Sequence, residues 1–156
     1  MSVEIGQLAP DFSLYNTDKN KISLSDYRGR NLVILFFPLA FSGTCTKEVC
    51  MVQEGMGGYQ HLHAEIIGIS VDSLFTLGKF QQEYHLTFPL LSDFNKEVSA
   101  LYGCLNETFA FEMQGVSKRS AFVVDKEGMI RYAEILESAG DLPNFQAIQD
   151  CLAQLG

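Results

Sequence analysis

The sequence feature that most constrains the fold is an unbroken apolar run, LVILFF at residues 32–37, which Pro38 closes. A continuous apolar run of this length is typical of a strand that is buried on both faces. Proline cannot donate to a sheet ladder, so the strand ends there. A second apolar run, AEIIGISV, occupies residues 64–71. Because both faces of such strands must be covered, the two runs predict a sheet with helices on both sides.

The remaining segments alternate between strand and helix patterns. They are two short strands within 10–24, a helix over 44–60 that Gly55, Gly57 and Gly58 weaken, a helix over 73–84, a strand at 88–93, a short helix at 95–103, two hairpin strands at 120–124 and 129–136, and a closing helix over 143–155 that starts at Pro143. This order predicts an α/β, thioredoxin-like fold with a mixed central sheet and an N-terminal β-hairpin. No repeat or linker interrupts it, so we expect one domain spanning residues 1–156.

Composition excludes several classes of function. The chain has 11 basic and 19 acidic residues and a net charge of −8, which argues against binding to nucleic acid or to an anionic membrane surface. The chain is 47% hydrophobic and 19% charged, a composition that excludes a disordered protein. The longest apolar run, 32–41, is about half a membrane span. The N-terminal residues contain no apolar signal region, and we therefore expect a cytoplasmic protein.

The cysteines carry the most chemical information. They are Cys45, Cys50, Cys104 and Cys151. In a reducing compartment, metal binding, catalysis and plain burial are the alternatives to a structural disulfide. No C-x-x-C pair occurs, and His61, His63 and His85 have no ligand spacing to any cysteine, so we expect neither a metal nor another cofactor.

Cys45 stands at the junction between the buried strand and the next helix. A helix N-terminus presents unpaired N–H groups and a partial positive charge, which stabilise the nucleophilic thiolate. Ser42, three residues earlier, has a hydroxyl that can donate to the same pocket. Pro38 supplies an apolar wall without a backbone donor. The alternative is that Cys45 only packs, since cysteine is among the most buried residue types.

The spacing P-x-x-x-S-x-x-C over residues 38–45 resembles the peroxidatic loop of the peroxiredoxins, P-x-x-x-T/S-x-x-C. The opening G-x-x-A-P-D-F at 6–12, the FPLLSD segment at 88–93 and Arg119 in KRSAFVVD are also similar to that family. The stretch FFPLAFSGTC is most similar to the alkyl hydroperoxide reductase E branch. Ser42 replaces the commoner threonine but keeps the hydroxyl.

The resemblance implies a thiol peroxidase. The Cys45 thiolate would attack the terminal oxygen of hydrogen peroxide or an organic hydroperoxide and become a sulfenic acid. The Ser42 hydroxyl and the backbone N–H groups of Thr44 and Cys45 would bind the peroxide oxygens, and Arg119 would supply a fixed positive charge. Glu48, one turn after Cys45, would hold the arginine in place.

Each charged residue also has a simpler interpretation. Arg119 and Lys118 together are consistent with a solvated pair at the start of a strand. Glu48 is suited to the first turn of a helix, where it complements the dipole. Arg131, in GMIRY, falls on an outward strand position and is expected at the surface.

A sulfenic acid needs a second thiol, and Cys50 is the nearest. In a regular helix, residues five apart have Cα atoms about 8.6 Å apart, whereas a disulfide needs less than about 7 Å. The same C-x-x-x-x-C spacing resembles the peroxiredoxin Q (bacterioferritin comigratory protein) branch, in which the second cysteine resolves. The alkyl hydroperoxide reductase E branch largely uses one cysteine, so the two resemblances disagree.

Both routes therefore remain open. In the first, the helix unwinds locally, Cys50 resolves Cys45, and a thioredoxin- or glutaredoxin-like reductant recycles the disulfide. In the second, an external thiol reduces Cys45 directly. Cys104 and Cys151 are expected to be packing residues. A resolving role for Cys151 is the remaining alternative, because C-terminal segments are often mobile.

Two further functions compete with peroxidase activity. A thiol–disulfide oxidoreductase requires the missing C-x-x-C, and a non-enzymatic redox sensor would use Cys45 only as a switch. The resemblance also implies a homodimer through the loops near the active site, for which Phe41, Phe75 and Phe109 are candidate contacts.

Overall fold

A computed structural model describes residues 3–156. Within this range the strands are β1 (Ser13–Asn16), β2 (Lys21–Ser23), β3 (Asn31–Phe36), β4 (Ala64–Ser70), β5 (Leu90–Ser92), β6 (Leu105–Thr108), β7 (Gln114–Ser117), β8 (Ser120–Val124) and β9 (Ile130–Ile135). The helices are α1 (Gly43–Glu54), α2 (Met56–His61), α3 (Leu74–Glu83), α4 (Glu97–Leu101) and α5 (Phe145–Leu155). Short 3₁₀ turns follow β2 and β6, at Leu24–Tyr27 and Ala110–Glu112.

Seven strands form one mixed sheet in the order β2-β1-β5-β4-β3-β8-β9. The central strands β3, β4 and β5 run parallel to one another. The N-terminal hairpin β1–β2 joins one edge antiparallel, and the hairpin β8–β9 joins the other edge antiparallel to β3. The predicted mixed sheet, N-terminal hairpin and late hairpin are confirmed.

Strand β3 is the centre of two hydrophobic cores. All six of its residues are buried. Val33 and Leu35 belong to the core that includes residues of α1, α3 and α5. Ile34 and Phe36 belong to the core on the opposite face, with Phe122. The unbroken apolar run thus corresponds to a strand that is covered on both faces, as its composition requires.

Two helix boundaries differ from the prediction. The expected helix over 44–60 is two helices, because α1 ends at Glu54 and Gly55 caps it before α2 begins. Glycine is a weak helix former, which favours a break at this point. The closing helix begins at Phe145 instead of Pro143, because the side chain of Asn144 accepts a hydrogen bond from the Ala147 N–H and acts as the N-cap.

The hairpin β6–β7 was not predicted from the sequence. Its strands pair antiparallel and form a separate two-stranded sheet. Phe111 and Glu112 in its turn have φ of 58° and 63°. Glycine usually marks a turn with positive φ in a sequence, because other residues rarely adopt this region. Here Phe111 and Glu112 occupy it, so no glycine indicates the turn. No helix among residues 3–156 is long and apolar enough to cross a membrane.

Candidate active site

The end of β3 and the start of α1 bring the predicted loop residues together. Pro38 is buried just after β3, Ser42 is the N-cap of α1, and Cys45 is the third residue of that helix. The side chain of Cys45 is completely buried. The predicted position of Cys45 in the first helical turn is confirmed.

Arg119 lies beside this loop because of the register of the sheet. Phe36 at the end of β3 pairs with Ser120 at the start of β8, so the residue before Ser120 lies next to the segment that follows β3. Arg119 is only 2% exposed, and its Nη1 donates to the Cys45 Sγ at 3.4 Å. Its Nη2 donates to the carbonyl of Ala139 at 2.9 Å. The alternative of a solvated strand-end arginine is therefore wrong.

Arg131, in contrast to Arg119, lies at the surface. It is exposed and forms an ion pair with Asp125 at 2.6 Å, as expected for an outward strand position.

Glu48 is the second buried charge of the site. Its Oε1 accepts from Arg119 Nη1 at 2.6 Å, and neither side chain is more than 1% exposed. Burial raises the pKa of the Glu48 carboxyl to about 7, against the opposing effect of Arg119. Burial lowers the pKa of Arg119, but the neighbouring Glu48 and Cys45 more than compensate, and the net pKa is raised. Arg119 therefore stays cationic while in contact with both groups.

A cavity of about 220 Å³ opens onto the cysteine. Its lining residues are Pro38, Ser42, Gly43, Thr44, Cys45, Phe109, Arg119, Ala139 and Gly140. The Ser42 hydroxyl donates to the carbonyl of Leu39 at 2.8 Å instead of into the cavity. Donation by Ser42 to a peroxide therefore remains a prediction that requires rotation of the hydroxyl group.

Contacts outside the predicted set hold the loop in place. The N–H of Ala40 donates to Asp72 Oδ2 at 2.7 Å, and the Ser70 hydroxyl donates to the same oxygen at 2.6 Å. Phe41 adopts a φ of 69° and packs its ring against Phe80, with centroids 5.0 Å apart. Asp72 follows β4, the parallel neighbour of β3, so the strand order places it at the same sheet edge. The alternation of strands and helices could therefore have predicted that Asp72 lies near the loop. No pattern in the sequence predicts that Phe109 and Ala139 line the cavity.

The other cysteines differ clearly from Cys45. Cys50 is half-buried in the same unbroken helix, and burial, with the nearby Glu54, raises the pKa of its thiol. Cys104 is fully buried, which raises the pKa of its thiol to about 12. Cys151 is half-buried against the last strand. All four are free thiols.

Comparison with known proteins identifies the family of the chain. The model of the AhpC/TSA family matches residues 5–133. The chain belongs to the AhpC/TSA family of peroxiredoxins. This peroxiredoxin is 35% identical over 156 residues to alkyl hydroperoxide reductase E of Mycobacterium tuberculosis, with 98% of each chain covered. It is 36% identical over 132 residues to peroxiredoxin Bcp of Bacillus subtilis, with 83% of each chain covered.

Solved structures support the same conclusion for the fold. The peroxiredoxin is similar to peroxidoxin BcpB of Mycobacterium tuberculosis, at a TM-score of 0.81, 26% identity, and coverage of 97% and 95% of the two chains. It is also similar in fold to a cysteine-to-serine mutant of PrxQ of Xylella fastidiosa, at a TM-score of 0.87, 21% identity, and coverage of 99% and 98%. The predicted thioredoxin-like fold is confirmed. Family membership makes the chain an enzyme, a thiol-dependent peroxidase.

Proposed function

We propose that Cys45 is the peroxidatic cysteine and that the enzyme reduces hydrogen peroxide and organic hydroperoxides. The observation that carries the proposal is the 3.4 Å contact between Arg119 Nη1 and Cys45 Sγ at the wall of a cavity. The Cys45 thiolate attacks the terminal peroxide oxygen, an S–O bond forms and the O–O bond breaks. The leaving oxygen takes a proton and departs as water or an alcohol, and Cys45 becomes a sulfenic acid.

The neighbouring groups stabilise the charge that moves in this step. Arg119 places a permanent positive charge next to the thiolate and the peroxide. Glu48 accepts a hydrogen bond from Arg119 and so keeps the guanidinium group in this orientation. The backbone N–H groups of Thr44 and Cys45, in the first turn of α1, donate to the peroxide oxygens. The Ser42 hydroxyl adds a donor after rotation, and Pro38 shields the thiolate from water.

Resolution by Cys50 completes the proposed cycle. Cys45 and Cys50 lie in one continuous helix, in which Cα atoms five residues apart are about 8.6 Å from each other. A disulfide needs less than about 7 Å, so α1 must unwind before the sulfenic acid meets the Cys50 thiol. A thioredoxin- or glutaredoxin-like dithiol then reduces the disulfide. The cytoplasm is the compartment that supplies such reductants and keeps the thiols free.

A one-cysteine cycle is the second candidate. The observation that favours it is the regularity of α1 from Gly43 to Glu54, which keeps the two thiols apart. In this cycle an external thiol attacks the Cys45 sulfenic acid directly.

Peroxide consumption in the presence of a thioredoxin system tests the function. The wild-type protein should consume hydrogen peroxide catalytically, and Cys45→Ser should not. Cys151→Ser is the matched control, since it removes a half-buried thiol away from the cavity, and it should retain wild-type activity. Equal activity in the wild type and in Cys45→Ser would reject the proposal.

Replacement of Cys50 separates the two cycles. One equivalent of peroxide should produce a 45–50 disulfide in the wild type, detected by peptide mass mapping. Cys50→Ser should stop at the sulfenic acid and lose turnover with the thioredoxin donor. Unchanged turnover of Cys50→Ser would instead establish the one-cysteine cycle.

A further inference from the structure

Asp72 is anchored at the edge of the central sheet, next to the loop of residues 38–42. Its Oδ2 accepts a hydrogen bond from the Ser70 hydroxyl at 2.6 Å, and its backbone carbonyl accepts one from the Ser92 hydroxyl at 2.6 Å. Ser70 and Ser92 are the last residues of β4 and β5, and they are paired in the sheet. Two central strands therefore fix the position of Asp72 independently of the loop.

Asp72 contacts the loop through one peptide group. The N–H of Ala40 donates to Asp72 Oδ2 at 2.7 Å. The carbonyl of the same peptide group belongs to Leu39, and it accepts a hydrogen bond from the Ser42 hydroxyl at 2.8 Å. A peptide group is planar and rigid, so the hydrogen bond at its N–H also fixes the direction of its carbonyl. The position of the Ser42 hydroxyl therefore depends on Asp72.

The backbone of this loop requires contacts that hold it in place. Phe41, between Ala40 and Ser42, has a φ of 69°. Non-glycine residues rarely adopt this conformation, and it persists only where the surrounding structure imposes it. The ring of Phe41 packs against Phe80, and the hydrogen bond to Asp72 fixes the peptide group that precedes Phe41. Loss of the Asp72 carboxylate would leave that peptide group free to rotate.

Ser42 connects the anchored peptide group to the reacting atoms. It precedes the first turn of α1 and lines the cavity at Cys45. Its side chain is turned back toward Leu39 instead of toward the N–H groups of α1, so the Leu39 carbonyl places the Ser42 oxygen before a peroxide arrives. Rotation about the Cβ–Oγ bond then redirects only the hydrogen. A donor that is placed in advance in this way costs no reorganisation during the reaction.

We propose that Asp72 is a positioning residue of the peroxidase, and that it acts through the Leu39–Ala40 peptide group on the Ser42 hydroxyl. The proposal rests on the peroxidase function of Cys45 and adds to it a residue that lies outside the cavity lining. Asp72 acts as a hydrogen-bond acceptor and not as a charge, since the Ala40 N–H and the Ser70 hydroxyl donate to the same oxygen. An asparagine with its carbonyl oxygen at that position accepts both hydrogen bonds.

Replacement of Asp72 tests its role as an acceptor. Stopped-flow measurement gives the second-order rate constant for oxidation of Cys45 by hydrogen peroxide. Asp72→Ala should lower this rate constant about tenfold, because a displaced catalytic donor is costly. Asp72→Asn should stay within about twofold of the wild type. An unchanged rate constant in Asp72→Ala, or a tenfold loss in Asp72→Asn, would overturn the proposal.

Asp125→Ala is the matched control. Asp125 also accepts hydrogen bonds from backbone N–H groups, those of Glu127 and Met129, both at 2.9 Å. It follows β8 at the other end of the sheet, where Val124 pairs with Leu32 near the start of β3. Its replacement should leave the rate constant unchanged. A loss equal to that in Asp72→Ala would overturn the proposal, because it would indicate a general effect of removing a buried carboxylate.

A double-mutant cycle tests the route through Ser42. Because Ser42→Ala already lacks the hydroxyl, adding Asp72→Ala to it should change the rate constant by less than about twofold. A further tenfold loss in the double variant would contradict action through Ser42.

Hydrogen exchange measures the anchor without measuring activity. In NMR spectra of the reduced wild-type protein, the Ala40 N–H should exchange at least about tenfold more slowly, relative to its intrinsic rate, than the Phe41 N–H. The Phe41 N–H has no acceptor among residues 3–156. Equal exchange would overturn the anchor even in an active enzyme, and it would do so even if Asp72→Ala does not fold. Failure of the anchor is thereby distinguished from failure of the peroxidase function, which is an unreactive Cys45 in the wild type.

Discussion

Arg119 contacts two buried groups that compete for its charge. The same Nη1 donates to Glu48 at 2.6 Å and to Cys45 at 3.4 Å. Its other amino group is fixed by the carbonyl of Ala139. Lysine has one donor centre and cannot reproduce this fork, so charge alone is insufficient at this position.

Replacement of Arg119 should therefore reduce peroxide reactivity strongly. We expect Arg119→Met to lower the second-order rate constant of Cys45 oxidation by about 10²–10³-fold, the usual cost of removing a donor that stabilises developing charge. Arg119→Lys should recover only part of it. Arg131→Met is the control, because Arg131 is exposed and pairs with Asp125. A rate for Arg119→Met within threefold of that for Arg131→Met would contradict the assigned role.

The raised pKa of Glu48 makes a prediction about stability. The pKa of Glu48 is about 7 in the folded protein and 4.5 ordinarily. Between these pH values Glu48 therefore binds more protons in the folded protein than in the unfolded chain. The free energy of unfolding should therefore fall as pH rises from 4.5 to 7, by roughly 3 kcal/mol from this group. Urea denaturation between pH 4.5 and 7.5 should show that slope in the wild type and a flatter one in Glu48→Gln. Parallel slopes in the two proteins would refute it.

At the level of elements, the site depends on how β3, α1 and β8 meet. The apolar run 32–37 and the residues Pro38 to Cys45 were readable from the sequence, because strand burial and helix starts have local signatures. Arg119 was identified only through resemblance, since its approach to Cys45 depends on the pairing of β8 with β3. The hairpin β6–β7 was missed because Phe111 and Glu112 form its turn without a glycine. Consequently the contribution of Phe109 to the cavity was not predictable.

The end of α1 offers a test of the unwinding step. Gly55 has a negative φ, and a Cβ there would meet its neighbours at 3.6 Å, an ordinary contact. Gly55→Ala should stabilise the helix end by about 0.4–1 kcal/mol and slow formation of the 45–50 disulfide about two- to fivefold. Gly57→Ala, in α2, is the control and should leave the disulfide rate unchanged. Rapid-quench alkylation measures that rate, and equal slowing in both variants would contradict local unwinding of α1.

For the whole molecule, stability depends on the two cores that share the central sheet. Phe122 is fully buried and packs edge to face with Phe36 and Tyr102. Phe122→Ala should lower the free energy of unfolding by about 3–5 kcal/mol. Phe111→Ala removes the same side chain from an exposed turn and should change it by less than about 0.5 kcal/mol. Denaturant titration of both variants measures their free energies of unfolding. Similar losses of stability in the two variants would contradict the assignment of Phe122 to the core.

Assembly is a further property of the whole molecule. The predicted homodimer would cover Phe41, Phe75 and Phe109, of which Phe41 and Phe75 are 46% and 72% exposed. Sedimentation equilibrium should then give twice the mass of the chain, and Phe75→Asp should shift it toward the mass of one chain because a buried carboxylate opposes association. A wild-type mass of one chain at all concentrations would exclude the dimer.

We propose Cys45 as the thiol that reacts with peroxide. The most direct measurement is the second-order rate of peroxide oxidation of the reduced protein, with trapping of the sulfenic acid by dimedone and mass mapping of the modified cysteine. The structure predicts a rate constant far above that of free cysteine and a dimedone adduct on Cys45. A rate similar to that of free cysteine, or an adduct confined to Cys50, Cys104 or Cys151, would contradict the account.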